Sequence, residues 1–493
     1  MPTQPARHWT TGGILLLSTC LLAGCAIGPN YRAPPVEALG VPSAYGVIAA
    51  SPDPNDLVVW WRQFNDPLLS DLIGRATSAN LDIAVSRGRL VQARESLVQA
   101  RASLFPSLTG SASATRNAAA GPATRIATGG ASTLVSGNSS STQLSLGLDA
   151  SWQADIFGGT RRSIEASRAS ADAAMFNLVG VRTSVAGEVA TNYIGARLAQ
   201  ARLAIARDTL KNQDDNLQIA GFRVQAGLAP STDAESARAQ RAQTAATIPL
   251  LETSFVSAVN RLGVLTGQAP SALRQTMEKA GPIPKGPDAV AVGIPADTLR
   301  QRPDVRAAER SLAAASAQIG VAQAQLYPAL SITGTLSTAA AGIGGGAGLG
   351  NAGTGSLFAG LTQTIFEAGR LRSGVRSAKA GADIAFATYK STVLSGLEDV
   401  ENAIQALHSA EQRQTALAEA LDASNNAVVL ARSQYRVGLT DFLTLLQSEN
   451  TLLLARDSLA SAQSDQALAL VKLYLALGGG WQPAAPENIG SPS

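Results

Sequence analysis

The chain has 493 residues, with Lys+Arg 39 against Asp+Glu 36 and a formal net charge of +3. Only 15% of residues are charged and 4% aromatic, where ordinary soluble domains carry roughly 25% charge. That balance lacks the concentrated basic excess of a nucleic-acid binder and argues against an aromatic-rich core. Hydrophobic content is nonetheless 45%, with 46 glycines, so small side chains must do the packing. They would do so between closely approaching helices or on strands facing lipid. At roughly 150 residues per domain the length suggests about three globular units. Cys20 and Cys25 are the only thiols, and His8 and His408 the only imidazoles. They cannot supply a disulfide framework, a Cys-based zinc site or a nucleophile–base–orienter set. Neither an enzyme nor a bound cofactor or metal is expected.

Residues 1–24 read as an export signal: Arg7 and His8 give a modest basic start, and Ile14 to Ala23 a short apolar core. The apolar run is too short for a membrane-spanning helix of about 20 residues. Leu22-Ala23-Gly24-Cys25 resembles a bacterial lipobox, which implies lipidation of Cys25 and a mature chain starting there. By the same resemblance, Ala26 rather than Asp at the next position favours the outer membrane. A single acylated position attaches weakly, so a second membrane device is expected downstream. Residues 25–68 read as a lipidated extended segment.

Two regions then alternate with the period of a β-strand. In Gln143 to Ile156, Leu144, Leu146, Leu148, Ala150, Trp152, Ala154 and Ile156 share one side. Gln143, Ser145, Asp149, Gln153 and Asp155 share the other. Such a strand exceeds the roughly 9–11 residues that cross a bilayer when tilted. Ser107 to Thr115 is a weaker partner, introduced by Pro106. In the second region, Pro328 leads into a strand with Leu330, Ile332 and Leu336 on one side and Ser331, Thr333, Thr335 and Ser337 on the other. Leu357 to Ile365 alternates likewise, with Gln363 as an exception. No charge occurs between Arg125 and Asp149, or between Arg310 and Glu367. Four spanning strands cannot close a sheet by themselves, and bacterial barrels have at least about eight. The barrel must therefore be shared between chains. An eight-stranded interior is filled by side chains, so a pore favours three chains over two.

The remainder is helical. Proline is absent from Phe157 to Ala229 and from Ala368 to Gln482, where Ala, Leu, Gln, Arg and Ser dominate. A helix over Gly159–Gln225 would be about 100 Å long. Between these regions, Pro270, Pro282, Pro284, Pro287 and Pro295 mark a connector.

The order also recurs. Ala102-Ser-Leu-Phe-Pro matches Ala324-Gln-Leu-Tyr-Pro, Ile156-Phe157 matches Ile365-Phe366, and Arg223-Val-Gln-Ala-Gly-Leu matches Gln434-Tyr-Arg-Val-Gly-Leu. Repeat 1 thus occupies 69–266, with a hairpin at about 107–156 and a tip near 227. A linker follows at 267–296. Repeat 2 occupies 297–478, with a hairpin at about 329–366 and a tip near 438, and 479–493 form a tail. Two halves replace the three units that length alone suggested.

Gly28-Pro29-Asn30-Tyr31, Trp60-Trp61-Arg62-Gln63-Phe64-Asn65-Asp66-Pro67 and Arg302-Pro303-Asp304-Val305-Arg306 resemble motifs of the TolC-like outer-membrane efflux proteins, in their OprM/NodT-type lipoprotein branch. The resemblance covers essentially the whole chain. It implies an α+β membrane protein: a homotrimer with a 12-stranded β-barrel in outer-membrane lipid, continued by a long periplasmic α-helical barrel. The implied function is a passive exit duct for small toxic compounds. The implied partners are a periplasmic adaptor (membrane fusion) protein and, through it, an inner-membrane pump of RND or another type. Gly227 and Leu228, with Val437, Gly438 and Leu439, match the tips that contact the adaptor. A glycine there also has the simpler role of ending a helix. The family's duct narrows just beyond the second tip, often at an acidic ring. Here Asp441, Thr444 and Gln447 occupy that aperture, and Thr444 and Gln447 are not acidic. Asp441 or Glu449 could supply the carboxylate. Two alternatives remain open: the same kind of duct serving type I polypeptide secretion, and a lipid-tethered periplasmic coiled-coil scaffold without a pore.

Overall fold

A computed structural model describes residues 26–42, 57–119, 124–128, 131–135, 139–287, 299–343 and 352–482. The expected leader, Cys25 and the tail beyond Gln482 lie outside them. In chain order the elements are α1 (Pro67–Ala79), α2 (Leu81–Ala102), β1 (Ser107–Ala119), β2 (Thr124–Thr128), β3 (Ala131–Val135) and β4 (Ser139–Ala154). Then come α3 (Gly159–Gln225), α4 (Ser231–Leu265), the short α5 (Arg274–Glu278), α6 (Pro303–Ala324), β5 (Ala329–Ile343), β6 (Ala352–Thr362), α7 (Arg370–Arg436) and α8 (Phe442–Ala476). Helix lengths recur: 22 residues in α2 and α6, 67 in α3 and α7, and 35 in α4 and α8.

The chain divides into two compact units. The first holds the residues up to Arg32 with 92–171 and 311–386; the second holds the rest. In the first, four antiparallel strands pair in the order β1-β4-β5-β6. Pro106 and Pro328 immediately precede β1 and β5, where a residue without an N–H costs no ladder bond. The pairing of β4 with β5, with Leu148 opposite Leu336, fuses the two hairpins into one sheet. Both β1 and β6 keep an edge that no described strand pairs.

Three details differ from the sequence expectation. β4 ends at Ala154, because Asp155 turns away to cap α3, accepting from the N–H groups of Thr160 (3.1 Å) and Arg161 (2.9 Å). β6 ends at Thr362, so Gln363 breaks no alternation; its amide donates to the Leu326 carbonyl at 3.1 Å. A small separate hairpin, β2–β3, occupies the first loop, where short segments lack the sustained alternation that reveals a strand.

The N-terminal segment is built in. Arg162, only 5% exposed, donates through Nε to the Ile27 carbonyl (3.1 Å) and through Nη2 to the Gly28 carbonyl (3.2 Å) and Asn30 Oδ1 (2.7 Å). Gly28 has φ +107°, and a Cβ there would stand 2.5 Å from Gly320 Cα. The Gly-Pro-Asn motif is therefore a close crossing of chain over helix, which only glycine permits.

In the second unit the expected extended segment is instead turned. Trp60–Phe64 form a 3-10 turn, and α1 already begins at Pro67. Asp66 ends the turn as N-cap, accepting from the N–H groups of Leu68 (3.0 Å) and Leu69 (3.1 Å), with Pro67 at the favoured first helical position. Trp60 is fully buried and stacks on Tyr474 at 5.6 Å, so the Trp-rich motif is a core plug. Tyr193 donates to Asp66 Oδ2 at 2.6 Å and accepts from Arg197 Nε at 3.1 Å. Burial, then the bond to Asp66, pushes the Tyr193 hydroxyl up to about 12 from its ordinary 10.0. Because the folded state holds this proton more tightly, the stability it contributes is complete below pH 10 and lost as pH rises towards 12. Urea midpoints should fall between about pH 9 and about pH 11.5 in the wild type, and fall measurably less in Tyr193→Phe.

Candidate functional site: the helical tips and the bonds behind them

All tip residues lie in the second unit. The α3–α4 turn and the α7–α8 turn are built alike. Gly227 (φ +69°) and Gly438 (φ +78°) are in the left-handed region, with open space where a Cβ would stand. At the first turn Leu228 N–H donates to the Arg223 carbonyl (2.8 Å) and Gly227 N–H to Val224 (3.0 Å). At the second, Leu439 N–H donates to Gln434 (2.9 Å) and Gly438 N–H to Tyr435 (3.2 Å). This paired pattern is the Schellman motif, which closes a helix by satisfying its last carbonyls. It fully explains both glycines and leaves their neighbours free. Leu228, Val437 and Leu439 are 70%, 69% and 79% exposed. All three apolar side chains therefore stand at the surface of their turns.

Beneath the turns lies a small core of Ala220, Ala237, Ala431, Tyr435, Phe442 and Leu445. Tyr435 packs on Phe442 at 5.6 Å, and the Arg223 guanidinium sits 4.6 Å from the Tyr435 ring.

Asp441 is the N-cap of α8, its carboxylate accepting from Thr444 N–H at 2.8 Å. Hydrogen bonding from the Thr444 side chain, and then from its N–H, holds the Asp441 pKa below the ordinary carboxylate value. Asp441, Thr444 and Gln447 follow one another at helical spacing on an exposed face. Glu449 does not join them. It is 7% exposed and turned inward, accepting from Asn216 (2.5 Å) and from Arg432 Nε (3.0 Å). As a buried, fully paired carboxylate within one chain it is a structural tie, not an aperture charge.

Glu449 opens a ladder along α8 that sequence reasoning missed. Arg456 donates to Asp208 (2.8 Å), Arg202 reaches Asp457 (2.9 Å) and Ser461 (3.1 Å), and Arg413 reaches Asp465 (2.7 Å). The first two tie α8 to α3, and the last ties it to α7. Between α8 and α3 the partners are more than 230 residues apart, so no local pattern announces them. Arg302, from the Arg-Pro-Asp motif, is another tie. It pairs with Asp304 (2.8 Å) and Asp399 (2.9 Å) and donates to the Ala476 carbonyl (3.1 Å). Burial alone would lower its pKa, but the two carboxylates outweigh that and raise it. Among the described residues no group of side chains could hold a metal ion, and no helix is long and apolar enough to cross a membrane.

A sheet with one apolar and one polar face, joined to paired long helices that end in apolar turns, defines an outer-membrane channel. The sequence profile of the outer membrane efflux proteins matches residues 72–268 and 294–479. The chain is 33% identical to Nodulation protein T of Rhizobium leguminosarum bv. trifolii over 95% of its length and 97% of that protein. It is 30% identical to the pyoverdine export outer membrane protein OpmQ of Pseudomonas aeruginosa, over 95% and 96%. The solved outer-membrane channel OprN superposes with a TM-score of 0.81 at 35% identity, over 93% of this chain and all of that one. This chain belongs to the outer membrane efflux protein family and is an exit duct for efflux, not an enzyme.

The ladder is graded by burial. Glu449→Ala should cost about 1–3 kcal/mol by stranding partly buried donors. Asp457→Ala, in a half-exposed pair, should cost less than about 1 kcal/mol. Urea unfolding followed by helical circular dichroism measures both.

Proposed function

We propose that three copies of the chain assemble into a passive duct that carries small toxic compounds from the periplasm to the outside. The observation that carries this reading is the pair of unpaired sheet edges beside an apolar face. In lipid, each unpaired backbone group costs several kcal/mol, so β1 of one copy must meet β6 of another until the ring closes. Twelve strands, four from each copy, form the smallest closed ring wide enough for a water-filled lumen. Leu144, Leu146 and Leu148 then face lipid, with Trp152 at the membrane boundary. Cys25 carries the lipid that adds a second attachment, and the Arg162 clamp fixes residues 27–30, which follow it.

The halves, with their equal helix lengths, are duplicated copies of one unit, so the trimer is nearly sixfold. α3, α4, α7 and α8 build its periplasmic barrel. Leu228, Val437 and Leu439 dock a periplasmic adaptor, through which an inner-membrane transporter of the RND or another type supplies energy. Asp441, Thr444 and Gln447 line the aperture, and adaptor contact opens it by loosening the ladder along α8.

Purified full-length protein should migrate as a trimer on native mass spectrometry and form ion-conducting pores in planar bilayers. Monomers without conductance would sink the proposal. Changing Val437 and Leu439 together to Asp should abolish co-purification of the adaptor after in-cell crosslinking, with the trimer intact.

A further inference from the structure

The polar face of the four-stranded sheet is more specific than a wet lining requires. Its hydroxyls largely satisfy one another: Ser113 with Ser145 at 2.7 Å, Thr335 with Ser356 at 2.7 Å, Ser337 with Thr354 at 2.9 Å. Among the described residues of these strands, that face carries one charge, Asp149, and one aromatic ring, Phe358. Arg116, the other charged residue of the four strands, falls on the opposite face by the alternation.

Register relates the two. Asp149 lies opposite Thr335, which lies opposite Ser356; Phe358 is on the next row, opposite Thr333. They are two strands apart sideways, about 10 Å, and one row apart along the strands, about 7 Å. Among the described residues no hydroxyl bonds the Asp149 carboxylate, which is exposed. Phe358 is likewise 64% exposed on the face that would be wetted. A Cβ at Gly360 would stand 2.6 Å from Cε1 of Phe358 and 3.1 Å from Cζ, so an edge of the ring leans over the glycine into space that a larger residue would fill. An exposed aromatic ring and an exposed carboxylate at that separation can each take one part of an organic cation, the carboxylate its charge and the ring its apolar or cationic flank.

We infer that Asp149 and Phe358 form a luminal girdle that selects amphipathic organic cations, meaning a positive head on an apolar or aromatic body. The inference rests on the closed trimer. With the strand order β1-β4-β5-β6 repeated three times, the strand bearing Asp149 and the strand bearing Phe358 alternate at every second position. Three carboxylates and three rings therefore surround the lumen evenly, so a cation finds both wherever it enters. The carboxylates hold the charge while a ring one row away receives the apolar body. Anions of the same shape are repelled by the same belt.

The test reads the local potential, independently of any narrowing elsewhere in the duct. Cys25 is consumed by lipidation and Cys20 is removed with the leader, so Ser356→Cys introduces a unique thiol in the Asp149 row. Full-length trimer in vesicles is treated with a cationic (trimethylammonium) or an anionic (sulfonate) methanethiosulfonate. The cationic reagent should react at least about threefold faster, and adding Asp149→Asn should bring the rates together. Benzyltrimethylammonium should slow the cationic reagent more than tetramethylammonium does, and benzenesulfonate should not slow it. Phe358→Ala should remove the difference between the two cations, while Phe358→Tyr keeps it. Equal rates for both reagents, unaffected by Asp149→Asn, would overturn the girdle and leave the duct standing. A thiol unreactive to both reagents would mean the polar face is not luminal, and the duct reading would fall together with the girdle.

Discussion

The structure depends on one constraint: a backbone N–H or C=O in hydrocarbon must be hydrogen-bonded by protein. Strands meet it only in a closed sheet, and the described strands of this chain form an open one, β1-β4-β5-β6, in which β1 and β6 each keep an edge that no described strand pairs. Much else follows. The apolar face has Leu, Ala and Gly where a soluble sheet would need a covering layer, and the polar face has short hydroxyls that pair with one another. The scarcity of charge in the composition is concentrated here, because a charge facing lipid costs about 2–4 kcal/mol near the bilayer midplane. In the second unit the same economy appears as alanine-rich helices, whose small side chains let axes approach closely.

Specific polar bonds add what packing of small residues cannot. A helix face of alanines slides easily, since one alanine replaces another with little cost. Arg302 with Asp304 and Asp399, Tyr193 with Asp66 and Arg197, and the ladder from Glu449 to Asp465 fix the register of α3, α7 and α8. Removing one partner of such a tie costs little where the pair is exposed and much more where it is buried, because the other partner is then left unpaired.

Several motifs that mark the family are structural when seen in place. Trp60 to Pro67 is a plug and a helix cap, Gly28 is a crossing point, and Gly227 and Gly438 are Schellman residues. Beside the glycines, Leu228, Val437 and Leu439 stand exposed.

The sequence by itself determined the elements: strands by their period of two, helices by long runs without proline, turns by Gly and Pro. These signals are local, set by backbone sterics and by which side of a segment meets water or lipid. It also determined where the long helices turn, since Gly227 and Gly438 end them in the left-handed conformation. Only the tertiary structure decided the pairing of β4 with β5, the burial of Glu449 against Asn216 and Arg432, the clamp of Arg162 on residues 27–30, and the alignment of Asp149 and Phe358 on neighbouring rows. Each of these joins residues far apart in the chain. The choice of partner depends on register and axial packing, which leave no periodic trace in a single sequence.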